Sequence, residues 1–147
     1  MMERRIVVCV FIGLAATLLA AQNPVRTEKG FTKRLGDDLT GRMDRKAGQI
    51  LEETGLAGGL IVHVDCDGGE LTAALRAGES YVVHGLDREQ ADVKKARKYI
   101  RSRDQSGQVA VAHWKGEDLP YVDNLVNLLV SESPLEVSAD EIMRVLR

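Results

Sequence analysis

The chain has 147 residues, 44% of them hydrophobic and 29% charged, which is the size and balance of about one soluble globular domain with a core of its own. A formal net charge of -2 gives no electrostatic basis for holding nucleic acid or an anionic membrane surface.

Residues 1–21 have the layout of a secretory signal peptide. Glu3-Arg4-Arg5 makes a basic start, Ile6 to Ala20 is an apolar stretch, and Leu19-Ala20-Ala21 offers small residues for cleavage before Gln22. The alternative is a membrane anchor through residues 6–21, but the apolar stretch is short against the roughly 20 residues needed to span. Cleavage removes Cys9 and leaves Cys66 as the sole cysteine, so the exported protein would have no intrachain disulfide.

Residues 22–36, with Pro24, Gly30 and Gly36, read as a polar linker, and residues 37–147 as the domain. Asp37 and Asp38 are placed to cap a helix whose apolar face is Leu39, Met43, Ala47, Ile50 and Leu51, ending at Gly55. Gly58-Gly59 turns the chain into Leu60 to Val64, a β-branched apolar run suited to a strand covered on both faces.

Gly68 and Gly69 follow, where absent side chains allow a sharp turn and a close ligand. A short helix over Glu70 to Ala77 carries Leu71, Ala74 and Leu75 inward. Tyr81 to Leu86 is a second strand with Asp87 at its carboxyl end. Ligands of open α/β sheets bind at the carboxyl ends of strands, so the glycine turn and Asp87 border one crevice. Asp87 is there an acceptor for a ribose diol.

Arg88 to Arg103 reads as a charged helix with Val93, Ala96 and Ile100 inward. Its basic run is interleaved with Glu89 and Asp92 and reads as a solvated face. A third strand spans Val109 to His113, a loop Trp114 to Tyr121, and a fourth strand Leu125 to Val130. Ser138 and Glu141 have capping-box spacing for a last helix carrying Ile142, Val145 and Leu146. The alternation of strands and helices predicts an α/β domain built on a parallel sheet.

Four stretches in this order resemble the front half of a class I S-adenosylmethionine-dependent methyltransferase domain. They are Val62 to Gly69, Gly85-Leu86-Asp87, Gly116-Glu117-Asp118-Leu119-Pro120-Tyr121, and Asp123 to Val130. Similar modules stand at the front of exported bacterial proteins with a quinoprotein-like β-propeller. The resemblance implies a Rossmann-like three-layer sandwich, incomplete, with parallel strands in the order 3-2-1-4, S-adenosyl-L-methionine as cofactor, and methyl transfer to an acceptor that the sequence does not identify. It implies that Asp65, Asp67, Gly68 and Gly69 line the methionine part, that Asp87 holds the ribose hydroxyls, and that Glu117 and Asp118 border the adenine. Asp65 and Asp67 depart from the family by standing at glycine positions, His63 replaces the strand's terminal acid, and Asn127 replaces an aspartate. A non-catalytic exported binding or assembly module that keeps the scaffold is the alternative. The resemblance also leaves the fourth strand as an apolar edge that needs a downstream domain or a partner to cover it.

His63, His84 and His113 stand one on each of three strands, but the alternation of side chains sends them to different faces, so no metal site is expected. The aspartates flanking Cys66 raise its pKa and argue against a reactive thiol. The first-strand turn lacks the Gly-x-Gly-x-x-Gly of a nicotinamide site.

Overall fold

The computed structural model describes residues 6–9, 29–116 and 118–147, with the backbone alone for 6–9 and 29–37. In chain order the elements are β1 (Ile6–Cys9), α1 (Lys29–Thr54), β2 (Gly59–Val64), α2 (Glu70–Ala74), β3 (Tyr81–Asp87), α3 (Gln90–Ser102), β4 (Val109–His113), β5 (Leu128–Ser131) and α4 (Ala139–Val145). The strands form one sheet in the order β1-β5-β2-β3-β4, and every pairing is parallel. Taken from β4 to β5, this is the expected 3-2-1-4 arrangement of a Rossmann-like α/β fold.

Period-2 alternation divides the core into two layers. Ile61, Val83, Val109, Val111, Leu128 and Val130 face a cluster built on Ala47 and Ile50 of α1, Leu71 of α2, and Val93, Ala96 and Ile100 of α3. Val62, Val64, Leu86 and Leu129 face the other way, against Trp114, Leu119, Val126, Val145 and Leu146. Burial on both faces is why these strands read as near-continuous apolar runs.

Several features differ from expectation, among them the end of α2, at Ala74 rather than Ala77. Helix α1 begins at Lys29 rather than after Gly36. No proline interrupts the chain from Val25 onward into α1, and internal glycines such as Gly30 and Gly36 cost a helix only about 1 kcal/mol each, too little to end it. Strand β5 begins at Leu128, not Leu125, because Val126 bonds instead with the chain's end: its N–H donates to the Val145 carbonyl at 2.8 Å and its carbonyl accepts from Arg147 N–H at 2.9 Å. The fourth strand is also not the sheet's edge, since Ile6–Cys9 lies along it in register with Leu128–Ser131. The other leader residues fall outside the described residues.

The last helix keeps half of its capping box. Ser138 Oγ accepts from the Glu141 N–H at 3.2 Å. The Glu141 carboxylate turns away to accept from Leu119 N–H at 2.8 Å and from the Arg144 guanidinium, which holds its pKa below the usual carboxylate range. Arg144 also donates to the carbonyls of Tyr121 and Leu119, so α4 is tied to the loop after β4.

Candidate functional site

At the carboxyl end of β2 the chain turns through Asp65 and Asp67 with φ of 55° and 44° and through Gly69 with φ of 83°. The two aspartates thus take up the left-handed backbone that their glycine-like positions require, at a cost of roughly 1–2 kcal/mol for an ordinary residue and less for aspartate. The loop therefore keeps a glycine-type path while bearing carboxylates.

Gly69 does a different job. A Cβ there would lie 2.8 Å from Ala96 Cβ and 3.0 Å from its Cα, so the missing side chain lets the start of α2 pack on α3. Gly85 likewise lets β3 pass Cys66 Sγ, Val111 and Thr72, each about 3 Å from where its Cβ would be. At Gly68 a Cβ would meet the Glu70 carboxylate, which is folded back over the turn.

Asp87, only 5% exposed, closes the arrangement. Its Oδ2 accepts from the Asp67 N–H at 2.9 Å and its Oδ1 from the Glu89 N–H at 2.9 Å. One carboxylate thus joins the turn after β2 to the start of α3. Each carboxylate oxygen keeps a second acceptor position beyond its backbone amide. Burial, followed by the charge of Asp87, pushes the Asp67 carboxyl above its ordinary range.

Segments that follow β4 and β5 flank this arrangement. The Trp114 N–H donates to the Asp87 carbonyl at 2.8 Å, and Trp114 Nε1 donates to the Asp118 carbonyl at 3.1 Å, which curls the loop after β4 back on itself. Arg88 lies over the Trp114 ring, 5.3 Å from its centroid, and pairs with Glu136. On the other side Ser133 Oγ donates to Asp65 Oδ2 at 2.7 Å, drawing that carboxylate toward the segment after β5.

The structure therefore brings Asp65, Asp67, Gly68, Gly69 and Asp87 together at the carboxyl ends of β2 and β3. Asp118 is exposed on the adjoining loop, and Glu117 lies outside the described residues. Ser133, Arg88 and Trp114 were not among the sequence candidates. Ser133 lies 68 residues from Asp65, and no local spacing signals such a contact.

The histidines and Cys66 have structural partners. His63 Nδ1 shares a hydrogen bond of 2.8 Å with the Thr72 hydroxyl, and burial lowers its pKa to about 4. His84 Nδ1 is 2.7 Å from Tyr121 Oη, across the sheet from His63, and His113 Nε2 is 3.0 Å from the Arg88 carbonyl. Burial, then the charge of Asp87, pushes the Cys66 thiol up to about 12, so it is no thiolate near neutrality. Asn127 is a stitch: its N–H donates to the Leu60 carbonyl at 2.9 Å and its Oδ1 accepts from the Leu60 N–H at 2.9 Å.

No protein-family model and no curated protein matches this sequence. Among solved structures, the chain is similar to a candidate S-adenosyl-L-methionine-dependent methyltransferase of Methanococcus maripaludis, with TM-score 0.66 and 20% identity over 87% of this chain and 63% of that one. A SAM-dependent methyltransferase from Aquifex aeolicus gives 0.63 at 20% identity, over 83% and 69% of the two chains. The [4+2]-cyclase SpnF gives 0.61 at 29% identity, over 71% of this chain and 41% of the cyclase. The chain thus spans less than two thirds of the length of some of these neighbours. On fold, it is a Rossmann-like α/β domain of the kind seen in S-adenosylmethionine-dependent methyltransferases.

Proposed function

We propose that the crevice between the turn after β2 and Asp87 binds S-adenosyl-L-methionine, and that the chain is a methyltransferase-like domain. The observation that carries this reading is the hydrogen bond from the Asp67 N–H to the Asp87 carboxylate at 2.9 Å. It joins a left-handed, glycine-type turn to an acid at the carboxyl ends of two neighbouring parallel strands, where such sheets hold their ligands.

The residues present fit the group. The φ values at Asp65, Asp67 and Gly69 preserve the backbone path that approaches a ligand closely, and Asp87 retains acceptor positions for a ribose diol. Asp65 would accept from the ligand's ammonium group, while Ser133 holds that carboxylate in place. Asp118 and the curled loop around Trp114 would border the adenine; Glu117 belongs to the same proposal.

When bound, the cofactor supplies an electrophilic methyl group on a sulfonium. The chain's part is to fix the adenosyl moiety and exclude water, because alignment of donor and acceptor supplies much of the acceleration in an in-line displacement. Asp65 and Asp67 add negative charge where the ligand's carboxylate would lie, which weakens binding relative to a glycine loop. The acceptor is not identified by any of these residues.

Isothermal titration with S-adenosylhomocysteine tests the reading. Saturable heat that is lost in Asp87→Ala supports it, and no heat at millimolar ligand refutes it. Removal of residues 1–21 as an export leader is a separate proposal, one that would take β1 out of the sheet and leave β5 at its edge, and it is tested by N-terminal sequencing of the mature protein.

A further inference from the structure

A pocket lies at the opposite end of the sheet from Asp87, on the side of the strands' amino ends. It has a volume of about 220 Å³ and lies between α1, the end of α2, and the connection from α3 to β4. That is room for several waters at about 30 Å³ each, or for one small ligand. Its walls include Arg76, Arg103, Gln105 and Asp44, and Gly48 and Ala74 keep it open by presenting little side chain.

Two features separate it from an ordinary surface dent. Among the described residues, neither Arg76 nor Arg103 has a carboxylate within ion-pair distance. In addition, Arg76 Nε and Gln105 Oε1 are shielded from water with no hydrogen-bond partner. A shielded donor and a shielded acceptor left unpaired are each unfavourable, because they have given up water without gaining a partner. A modest rotation of either side chain into the pocket, against a ligand, would recover that cost.

We propose that this pocket binds a small oxyanion that also carries a hydrogen-bond donor: a hydrogen phosphate, free or as a phosphate monoester. The Arg76 and Arg103 guanidiniums offer forks of donors to the anionic oxygens. The Gln105 Oε1 accepts from the P–OH of free hydrogen phosphate or, in a monoester, whose phosphoryl group is largely a dianion near neutrality, from a hydroxyl of the alcohol part. With Asp44 opposing two arginines the wall carries a net charge of about +1. The carboxyl-terminal ends of α2 and α3 bring partial negative charge that offsets part of this, which holds the site to millimolar affinity. The site shares no residue with the crevice at Asp87 and stands whether or not that crevice binds a cofactor.

The test is titration of the full chain with inorganic phosphate, sulfate and glycerol 3-phosphate at constant ionic strength, followed by calorimetry or amide chemical shifts. Saturable phosphate binding in the millimolar range is expected, with about tenfold loss in Arg103→Gln, an exposed position where folding is not at stake, and a similar loss in Arg76→Gln. Sulfate, which carries no donor at neutral pH, should bind about tenfold more weakly. Tighter binding of glycerol 3-phosphate assigns the site to monoesters, and equal binding assigns it to free phosphate. Absence of saturation by about 50 mM phosphate, or affinity unchanged in both arginine variants, overturns the proposal. Equal affinity for sulfate overturns the role of Gln105.

Discussion

Gly69→Ala is the sharpest probe of how the candidate crevice is built. The new methyl would lie 2.8 Å from Ala96 Cβ and 3.0 Å from Ala96 Cα, both on α3, and it would be carried by a residue with φ of 83°. Left-handed strain costs a residue with a Cβ about 1–2 kcal/mol, and overpacking a well-filled contact costs about 1–3 kcal/mol. The two together, about 2–5 kcal/mol, are a large share of the roughly 5–15 kcal/mol that keeps a domain folded. Urea unfolding followed by circular dichroism should show that loss with little change in the denaturant slope. A double-mutant cycle separates the causes: Ala96→Gly removes the opposing methyl, so the double variant should recover about 1–2 kcal/mol of the steric part while the backbone strain persists. A loss in Gly69→Ala below about 0.5 kcal/mol, or additive costs in the cycle, would refute the argument that this glycine exists to seat α2 on α3.

The buried imidazole of His63, lowered from 6.5 to about 4, predicts acid sensitivity. The unfolded chain gains its proton below pH 6.5 while the folded chain resists until about 4, so this contribution is intact above 6.5 and is lost as pH falls between those values. Stability should drop by about 2 kcal/mol between pH 7 and 4.5 relative to His63→Gln, measured by urea titration at both pH values; equal pH slopes in the two proteins would sink the idea. Asp67→Gly removes a left-handed residue bearing a carboxylate beside Asp87, and should tighten S-adenosylhomocysteine several-fold in calorimetry; unchanged or weaker binding would mean that the carboxylate is not in the ligand's way. Because Asp67 has a raised pKa, its ionised form is disfavoured in the fold, so Asp67→Asn should stabilise the protein above the carboxylate's titration range and have no effect below it. Removal of residues 1–21 takes away the strand paired with Leu128–Ser131, and gel filtration should show concentration-dependent self-association through that bared edge; a strictly monomeric truncated chain would show that the edge is protected otherwise.

Much of the molecule is present in local pattern. The apolar runs at 60–64, 81–86 and 109–113 are short, β-branched and separated by helical spacing, which specifies parallel strands with helices between them, whereas the order 4-3-2-5 was implied by the family resemblance and not by local pattern. The turn at Gly68-Gly69 and the acid at Asp87 were likewise legible, because glycine and a strand-terminal carboxylate announce themselves within a few residues. What the pattern could not reveal was set by contacts across the fold. Asp65 and Asp67 look out of place in a glycine loop, and only the folded backbone shows them holding glycine-like φ values. The tie from Ser133 to Asp65, the stitch from Asn127 to Leu60, and the diversion of Val126 from β5 to the chain's end each join residues far apart in sequence. Local propensity acts over a few residues, so it selects the elements and their faces. The geometry of the crevice depends on hydrogen bonds and close packing between elements, and these exist only once the sheet has brought them together.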